Sequence, residues 1–133
     1  MGEVRVVLDT NVLVSALGYG GKPEDCLVTA MDEAVPVTSE EILDEVDRVM
    51  GYDDLPIEPS ERREFLRVLR GVSEVVNPDE RIDAVEDSDD DKFLEAAVEA
   101  DADYIVSGDD DLLSVGEFRE TEILSPAEFL EKV

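Results

Sequence analysis

Two short segments with apolar residues on both faces constrain the fold of this chain more than any other feature. Residues 5–8 (RVVL) and 102–107 (ADYIVS) are short and apolar, which is typical of strands buried in a parallel sheet. Three further runs at 34–38, 74–76 and 122–124 have the pattern of shorter strands, and helix-forming segments separate them. This alternation predicts an α/β domain with helices on both faces of a mostly parallel sheet.

The predicted helices begin at recognisable capping signals. We expect helices over 11–17, from Pro23 to about Glu33, after Ser39, after Ser60, after Ser88 and from Pro126. Serine side chains cap helix N-termini, and proline is favoured in the first turn. Pro36 argues for a modest strand at 34–38, because proline lacks the N–H group that a β-ladder uses.

Length and composition predict one cytoplasmic domain over residues 1–133. The hydrophobic fraction of 43% in 133 residues is enough to build a core. No apolar run is long enough to span a membrane, and charged residues at 3, 5 and 9 interrupt any signal-peptide pattern. We therefore expect no membrane contact. Cys26 is the single cysteine, so it cannot form an internal disulfide.

The net charge is extreme, with 37 acidic residues against 11 basic ones and a formal charge of −26. Such a polyanion repels nucleic acid at low salt. The protein either binds basic partners or is adapted to a very saline cytoplasm, where the Debye length falls to about 3 Å at 1 M salt. The acids are spread over nearly every segment, and lysine occurs only at 22, 92 and 132. This spread favours a halophilic prokaryotic origin.

Four acidic residues stand where predicted strands end or helices begin: Asp9, Glu45, Asp90 and Asp109. In open parallel sheets, ligands bind at the carboxyl edge of the strands. Clustered carboxylates repel one another unless a cation joins them. Because the chain has no histidine and one cysteine, the available ligands are oxygens, which suit Mg²⁺ or Mn²⁺. Metal-dependent hydrolysis of phosphodiesters is the leading hypothesis, with a carboxylate or the cation and its water as the base.

The motifs around these acids resemble the motif series of the PIN domain. LDTNVL, SEEILDEV, DSDDDKFLEAA and ADYIVSGDDDLL follow in the family's order and spacing over nearly the whole chain. The resemblance is to the branch related to the VapC toxins of toxin–antitoxin pairs. It implies a three-layer α/β/α domain with a sheet of four to five strands, and an Mg²⁺- or Mn²⁺-dependent endoribonuclease. It also implies an RNA substrate and a cognate antitoxin protein, and we further expect a homodimer.

Carried over residue by residue, the resemblance assigns four catalytic carboxylates and three supporting residues. The catalytic residues are Asp9, Glu45, Asp90 and Asp109, of which all but Glu45 hold the metal. The supporting residues are Asn11, Ser107 and Asp111. Ser107 stands where family members commonly have threonine, so the hydroxyl is retained. We expect Asn11 to brace the turn after Asp9 through a backbone hydrogen bond.

The acidic run at 86–91 (EDSDDD) leaves the third acid open among Asp90, Asp91 and Asp87. We favour Asp90, because it lies one turn before Phe93 on the same helical face. The other acids of the run are interpreted as a solvated loop.

Two alternative functions stay open at this point. A PIN-fold binding module with weak or no nuclease activity would explain the scarcity of basic surface. A receiver-like phosphoacceptor domain also gathers aspartates at strand ends, but Asp109 stands where its lysine belongs. The dense basic group on the predicted fourth helix either contacts RNA phosphates or forms ion pairs with Glu61 and Glu64. This group consists of Arg62, Arg63, Arg67 and Arg70.

Overall fold

The computed structural model of the chain describes residues 3–52 and 55–133, so residues 1, 2, 53 and 54 of the predicted domain lie outside the description. Its strands are β1 (Arg5–Leu8), β2 (Val35–Ser39), β3 (Glu74–Val76), β4 (Tyr104–Val106), β5 (Glu117–Phe118) and β6 (Thr121–Leu124). Its helices are α1 (Thr10–Gly18), α2 (Gly21–Glu33), α3 (Glu40–Met50), α4 (Pro59–Val72), α5 (Asp91–Ala100), α6 (Asp110–Val115) and α7 (Pro126–Lys132). A 3₁₀ turn over Ser88–Asp90 precedes α5. None of the helices in the described ranges is long and apolar enough to cross a bilayer.

The strands form one sheet in the order β3-β2-β1-β4-β6-β5, parallel except for the β5–β6 pair. Val7 of β1 lies opposite Val37 of β2 and Ile105 of β4, and all three side chains are buried. The strands that follow β1 in the chain, β2 and β3, lie on one side of it, whereas the later strands β4 and β6 lie on its other side. The strand order therefore reverses between β1 and β4, which is where α/β sheets form ligand crevices. The predicted α/β fold class is confirmed.

Within the described ranges the sheet has six strands, one more than the four to five predicted. The additional strand, β5, forms a two-residue antiparallel hairpin with β6. Arg119 lies in the hairpin turn with φ of +55°. Turns of this kind usually place glycine or asparagine at such a residue, and arginine gives no comparable signal in the sequence.

The strand that contains Pro36 has the five residues predicted, begins one residue later than predicted, and lies inside the sheet. Pro36 pairs with Val6 of β1 on one side, whereas pairing with β3 begins only at Val37. Proline therefore occupies the part of β2 that has one neighbouring strand, where its missing N–H costs least.

Two helix caps differ from the prediction. Pro59 occupies the first position of α4, and Glu58 precedes it as the cap, so Ser60 lies within the helix. Glu58 N donates to Glu61 Oε1 at 3.0 Å, an arrangement that stabilises the first turn. Before α5, the Asp87 carboxylate and not Ser88 accepts from the backbone, with Asp89 N donating at 3.0 Å. The predicted cap at Ser39 and the predicted helix start at Pro126 are confirmed.

Helix α5 is buried on almost every side, because the sheet covers one face and an irregular segment covers another. We call this segment, residues 77–87, the cover loop. Three α5 carboxylates spaced four residues apart accept hydrogen bonds from its backbone. The pairs are Asp79 N with Glu99 Oε1 (3.1 Å), Ile82 N with Glu95 Oε2 (3.0 Å), and Ala84 N and Val85 N with Asp91 Oδ1 (3.0 and 2.9 Å). The cover loop is thus held by side chains in place of a β-ladder.

Candidate active site

Asp9 lies at the reversal point of the sheet, directly after β1. Its Oδ1 accepts from Val12 N at 2.8 Å, and its Oδ2 accepts from the Ser107 hydroxyl at 2.5 Å. The side chain is buried. Burial raises the pKa of Asp9 to about 6, the two hydrogen bonds oppose this rise, and the charges of Asp109 and Glu45 add to it. A carboxyl group with a raised pKa releases its proton when a cation binds to it.

Asp109 reaches the same edge from the neighbouring strand β4. Ser107 directly continues β4, and its hydroxyl accepts from Asp109 N at 2.9 Å. Asp109 Oδ1 accepts from Asp111 N at 3.0 Å and so caps α6. A single buried hydroxyl therefore fixes Asp9 and Asp109 relative to each other.

Asp90 ends the 3₁₀ turn and occupies the cap position of α5. Its Oδ2 is buried and has no hydrogen-bond partner among the described residues. Burial, the adjacent Asp109 carboxylate and the charge of Asp87 raise the pKa of Asp90 to about 8, against the opposing charge of Lys92. Without a cation, this carboxyl group holds a proton at neutral pH.

Glu45 lies on α3 and has a hydrogen-bond donor at each carboxylate oxygen. The Thr10 hydroxyl donates to Oε1, and Lys92 Nζ donates to Oε2 at 2.8 Å. Neither donor was among the residues predicted for the site. The signal for Thr10 is that it directly follows Asp9 at the strand end, and the signal for Lys92 is that it is a rare lysine on a helix of otherwise apolar and acidic residues.

The structure distinguishes the three candidates for the third acid by their surroundings. Asp90 and Asp87 both line the pocket with Asp9 and Asp109, and Asp87 is the more exposed of the two. Asp91 is buried on the other side of α5, where it accepts hydrogen bonds from the cover loop. The geometry favours Asp90 for a role in the pocket and gives Asp91 a structural role.

The four predicted carboxylates line one open pocket of about 210 Å³. The lining residues are Asp9, Thr10, Asn11, Glu45, Val49, Asp87, Asp89, Asp90, Phe93 and Asp109, and none of these described residues is basic. Beside it, carboxylate oxygens of Asp87, Asp90 and Asp111 lie within 4.8 Å of one another. Oxygen donors, raised pKa values and an unpartnered buried oxygen fit a hard divalent cation.

The supporting residues take three different positions. Ser107 lies behind the pocket, and Asp111 lies in the adjacent carboxylate cluster. Asn11 is exposed and lines the pocket. The bond that braces the turn after β1 comes from Asp9 itself, which accepts from Val12 N.

Comparison with known proteins identifies the family. The family model of the PIN domain matches residues 5–111, which span β1 to the first turn of α6. The chain belongs to the PIN domain family. This membership excludes the receiver-like interpretation.

One relative in sequence and one solved structure extend the comparison of this PIN domain. An uncharacterized protein of Methanocaldococcus jannaschii is 30% identical over a 145-residue alignment that covers 98% of this chain and 92% of the relative. One chain in the crystal structure of VapBC2 from Rickettsia felis, bound to a DNA fragment from their promoter, superposes with a TM-score of 0.64. That match covers 92% of this chain and 98% of the other at 11% identity, so it shows a shared fold.

The arginines of α4 in this PIN domain are largely engaged in ion pairs. Arg62 pairs with Asp47 at 2.7 Å and Arg70 with Glu40 at 2.6 Å, so α4 is tied to α3 at both ends. Arg67 pairs with Glu64. Of the two partners expected from the sequence, Glu64 is confirmed, and the α3 partners are additional. Contact of Arg62, Arg63, Arg67 and Arg70 with RNA stays a prediction.

Proposed function

We propose that this PIN domain is a divalent-metal-dependent endoribonuclease and the toxin of a type II toxin–antitoxin pair. The observation that carries the proposal is the convergence of four carboxylates from four separate segments on one pocket at the sheet reversal. We further propose that residues 1–133 form a single domain, since one sheet runs from β1 to β6.

Each pocket residue has a defined part in the proposed reaction. Asp9, Asp90 and Asp109 hold the cation, and Ser107 keeps Asp9 and Asp109 in register. Mg²⁺ or Mn²⁺, when bound, lowers the pKa of a water molecule and stabilises negative charge on the phosphate. Glu45 borders the pocket with both oxygens oriented by donors. Because the chain has no histidine, a pocket carboxylate accepts the proton of the attacking water.

A cleavage assay tests this function. RNA is incubated with the protein and Mg²⁺ or Mn²⁺ in molar KCl, and we expect slow internal cleavage that EDTA stops. Asp90→Ala and Asp109→Ala should lose the activity while keeping a native circular dichroism spectrum, whereas Asp44→Ala, an exposed change on α3, should keep it. Cleavage that persists in the Asp9→Asn, Asp90→Ala double variant would point to a contaminating nuclease.

A binding module with weak or no nuclease activity is the second candidate. The charge of −26 and the pairing of three α4 arginines with carboxylates favour it, because they leave little basic surface for RNA. A protein that takes up Mn²⁺ yet cleaves no RNA at any salt concentration would support this candidate over the nuclease.

We also infer a protein partner, either the cognate antitoxin or a second copy of the chain in a homodimer. The similarity to a chain of VapBC2 supports an antitoxin. An open apolar groove of about 390 Å³, lined by Leu17, Phe65 and Val68 among others, supports a protein contact. Light scattering coupled to gel filtration distinguishes a monomer from a homodimer.

We further propose a cytoplasmic location in a halophilic prokaryote. The support is the even distribution of 37 acidic residues, because screening by molar salt reduces the repulsion among them. Stability measured against KCl concentration tests this proposal.

A further inference from the structure

We propose that Lys92 is a positioning residue that, together with Thr10, fixes the carboxylate of Glu45 in the acidic pocket. The inference rests on the proposed function and extends it, because it adds the oriented carboxylate of Glu45 to the groups that attract the cation held by Asp9, Asp90 and Asp109. Lys92 itself is absent from the pocket lining, so it orients the pocket through its bond to Glu45, and only its charge reaches Asp90 directly.

Lys92 is held firmly enough to orient another side chain. Its side chain is 10% exposed, and Nζ donates to Glu45 Oε2 at 2.8 Å and to the Asp89 backbone oxygen at 2.5 Å. The ammonium group also lies 5.4 Å from the centre of the Phe93 ring. A buried ammonium group is costly without partners, so these contacts restrict it to one position.

Glu45 receives one donor on each side, which fixes the plane of its carboxylate. Thr10 donates to Oε1 and Lys92 to Oε2. Each carboxylate oxygen has two lone-pair sites, so a site remains on each oxygen for a ligand. With Lys92 removed, the carboxylate can rotate about its last side-chain bond and lose this direction.

Arg48 provides a natural comparison, since it is a second cation beside the same carboxylate. Its Nη2 lies 3.6 Å from Glu45 Oε2, and its side chain is 64% exposed. An exposed ion pair of this length adds charge but little orientation. Substitutions of Lys92 and Arg48, compared with each other, therefore separate the effect of geometry from the effect of charge.

Charge and geometry predict opposite changes in metal affinity. Loss of a positive charge beside an acidic pocket strengthens the attraction of a cation. Loss of the orientation of Glu45 weakens cation binding, and partners of this kind commonly change affinity or activity by about 10- to 100-fold. Whether K92M binds the metal more weakly or more tightly than wild type therefore shows which of the two effects dominates.

The test measures Mn²⁺ affinity from thermal shifts in wild type, K92M, K92R and R48M. We expect the apparent Kd for Mn²⁺ to rise by about 10-fold or more in K92M. K92R keeps the charge but displaces the donors, so its Kd should lie between those of wild type and K92M. R48M should bind Mn²⁺ as tightly as wild type or more tightly. In RNA cleavage, K92M should lower kcat and leave KM unchanged.

A comparison of E45Q with E45Q/K92M covers the case in which K92M alone folds poorly, because the charge of Glu45 is absent from both proteins. Since Lys92 orients the pocket through Glu45, E45Q/K92M should bind Mn²⁺ no more weakly than E45Q. A further loss of Mn²⁺ affinity from E45Q to E45Q/K92M, or a K92M or K92R protein that binds Mn²⁺ as tightly as wild type, overturns the role of Lys92. Wild type that binds Mn²⁺ but cleaves no RNA overturns the nuclease function alone. Wild type that binds no Mn²⁺ overturns both.

Discussion

The Ser107 hydroxyl donates to Asp9 Oδ2 at 2.5 Å and joins the ends of two strands, β1 and β4, that are nearly a hundred residues apart in the chain. Because the same oxygen accepts from Asp109 N, this side chain links two of the proposed metal-holding residues. It is completely buried, so no water can replace it without rearrangement.

Ser107→Ala should lower the free energy of unfolding by about 1–3 kcal/mol, because Asp9 Oδ2 loses its partner while it stays buried. The same change should raise the pKa of Asp9, since the Ser107 bond lowers it. Urea denaturation measures the loss of stability. Ser114→Ala removes a hydroxyl at an exposed site and is the matched control. Equal stability of the two variants would contradict the linking role.

Asp9→Asn should remove most of the stabilisation that Mn²⁺ provides. In wild type, Mn²⁺ at about 100 times its Kd should raise the free energy of unfolding by about 2.7 kcal/mol. Without metal the variant should remain folded, because the amide oxygen can still accept from Val12 N and a buried charge is removed. Calorimetry with and without Mn²⁺ measures the stabilisation by the metal. Asp44→Asn, at an exposed position of α3, is the control. A full Mn²⁺ effect in Asp9→Asn would disprove the site.

The metal-free protein should become less stable as pH rises from about 4 to about 8. The folded-state pKa values of Asp9 and Asp90 are raised from 3.8 to about 6 and about 8, so the native state binds more protons than the unfolded state in this window. The stabilising contribution of Asp9 and Asp90 is complete below their unfolded-state pKa of 3.8. It is lost as the pH rises through their folded-state pKa values. Asp90→Asn should flatten the upper part of the curve.

Saturating Mn²⁺ should reverse this trend, because the cation competes with the protons and binds more tightly at higher pH. Denaturation curves collected across the window with EDTA and with Mn²⁺ give both slopes. Stability that is independent of pH in EDTA would show that the carboxylates do not interact as described.

Stability should rise steadily with KCl from about 0.1 M into the molar range, because salt screens the repulsion among charges that sum to −26. Thermal denaturation over a KCl series measures this. Mannitol or sucrose at matched osmolarity controls for general exclusion effects. A protein that is equally stable in dilute buffer would remove the halophile proposal and favour a basic partner.

Asp91→Ala should lower the free energy of unfolding by about 1.5–3 kcal/mol, because its carboxylate accepts from Ala84 N and Val85 N. Asp83→Ala changes an exposed acid of the cover loop and should stay within about 0.5 kcal/mol of wild type. Hydrogen exchange at Val85 should quicken in Asp91→Ala alone. Unchanged exchange there would mean that other contacts hold the loop.

Local patterns were sufficient to predict most of the fold. The apolar runs at β1 and β4, the cap at Ser39 and the helix start at Pro126 follow from single-residue preferences, and the structure has them. The β5 hairpin has two-residue strands and Arg119 in its turn, so propensity gave no signal for it. Pro36 predicted a modest strand, and β2 has five residues, but its place inside the sheet depends on where β3 begins, which is a tertiary property.

The acids of the candidate site could be named from the sequence, but their partners could not. Asp9, Glu45, Asp90 and Asp109 stand in motifs, whereas Thr10 and Lys92 matter only through contacts made across the fold. The acidic run at 86–91 appeared interchangeable because aspartates of one run have the same composition signal. Only packing of α5 separates Asp90, beside the pocket, from Asp91, beneath the cover loop.

This separation of two consecutive aspartates has a consequence for the evolution of the chain. Asp90 ends the 3₁₀ turn and Asp91 begins α5, so an insertion or deletion within residues 88–91 would change the direction of one aspartate relative to the other and remove at least one of them from its contacts. This segment can therefore exchange residues at exposed positions such as Asp89, but its length is fixed. Among natural variants of this protein, we expect gaps to accumulate on either side of this segment and to spare it.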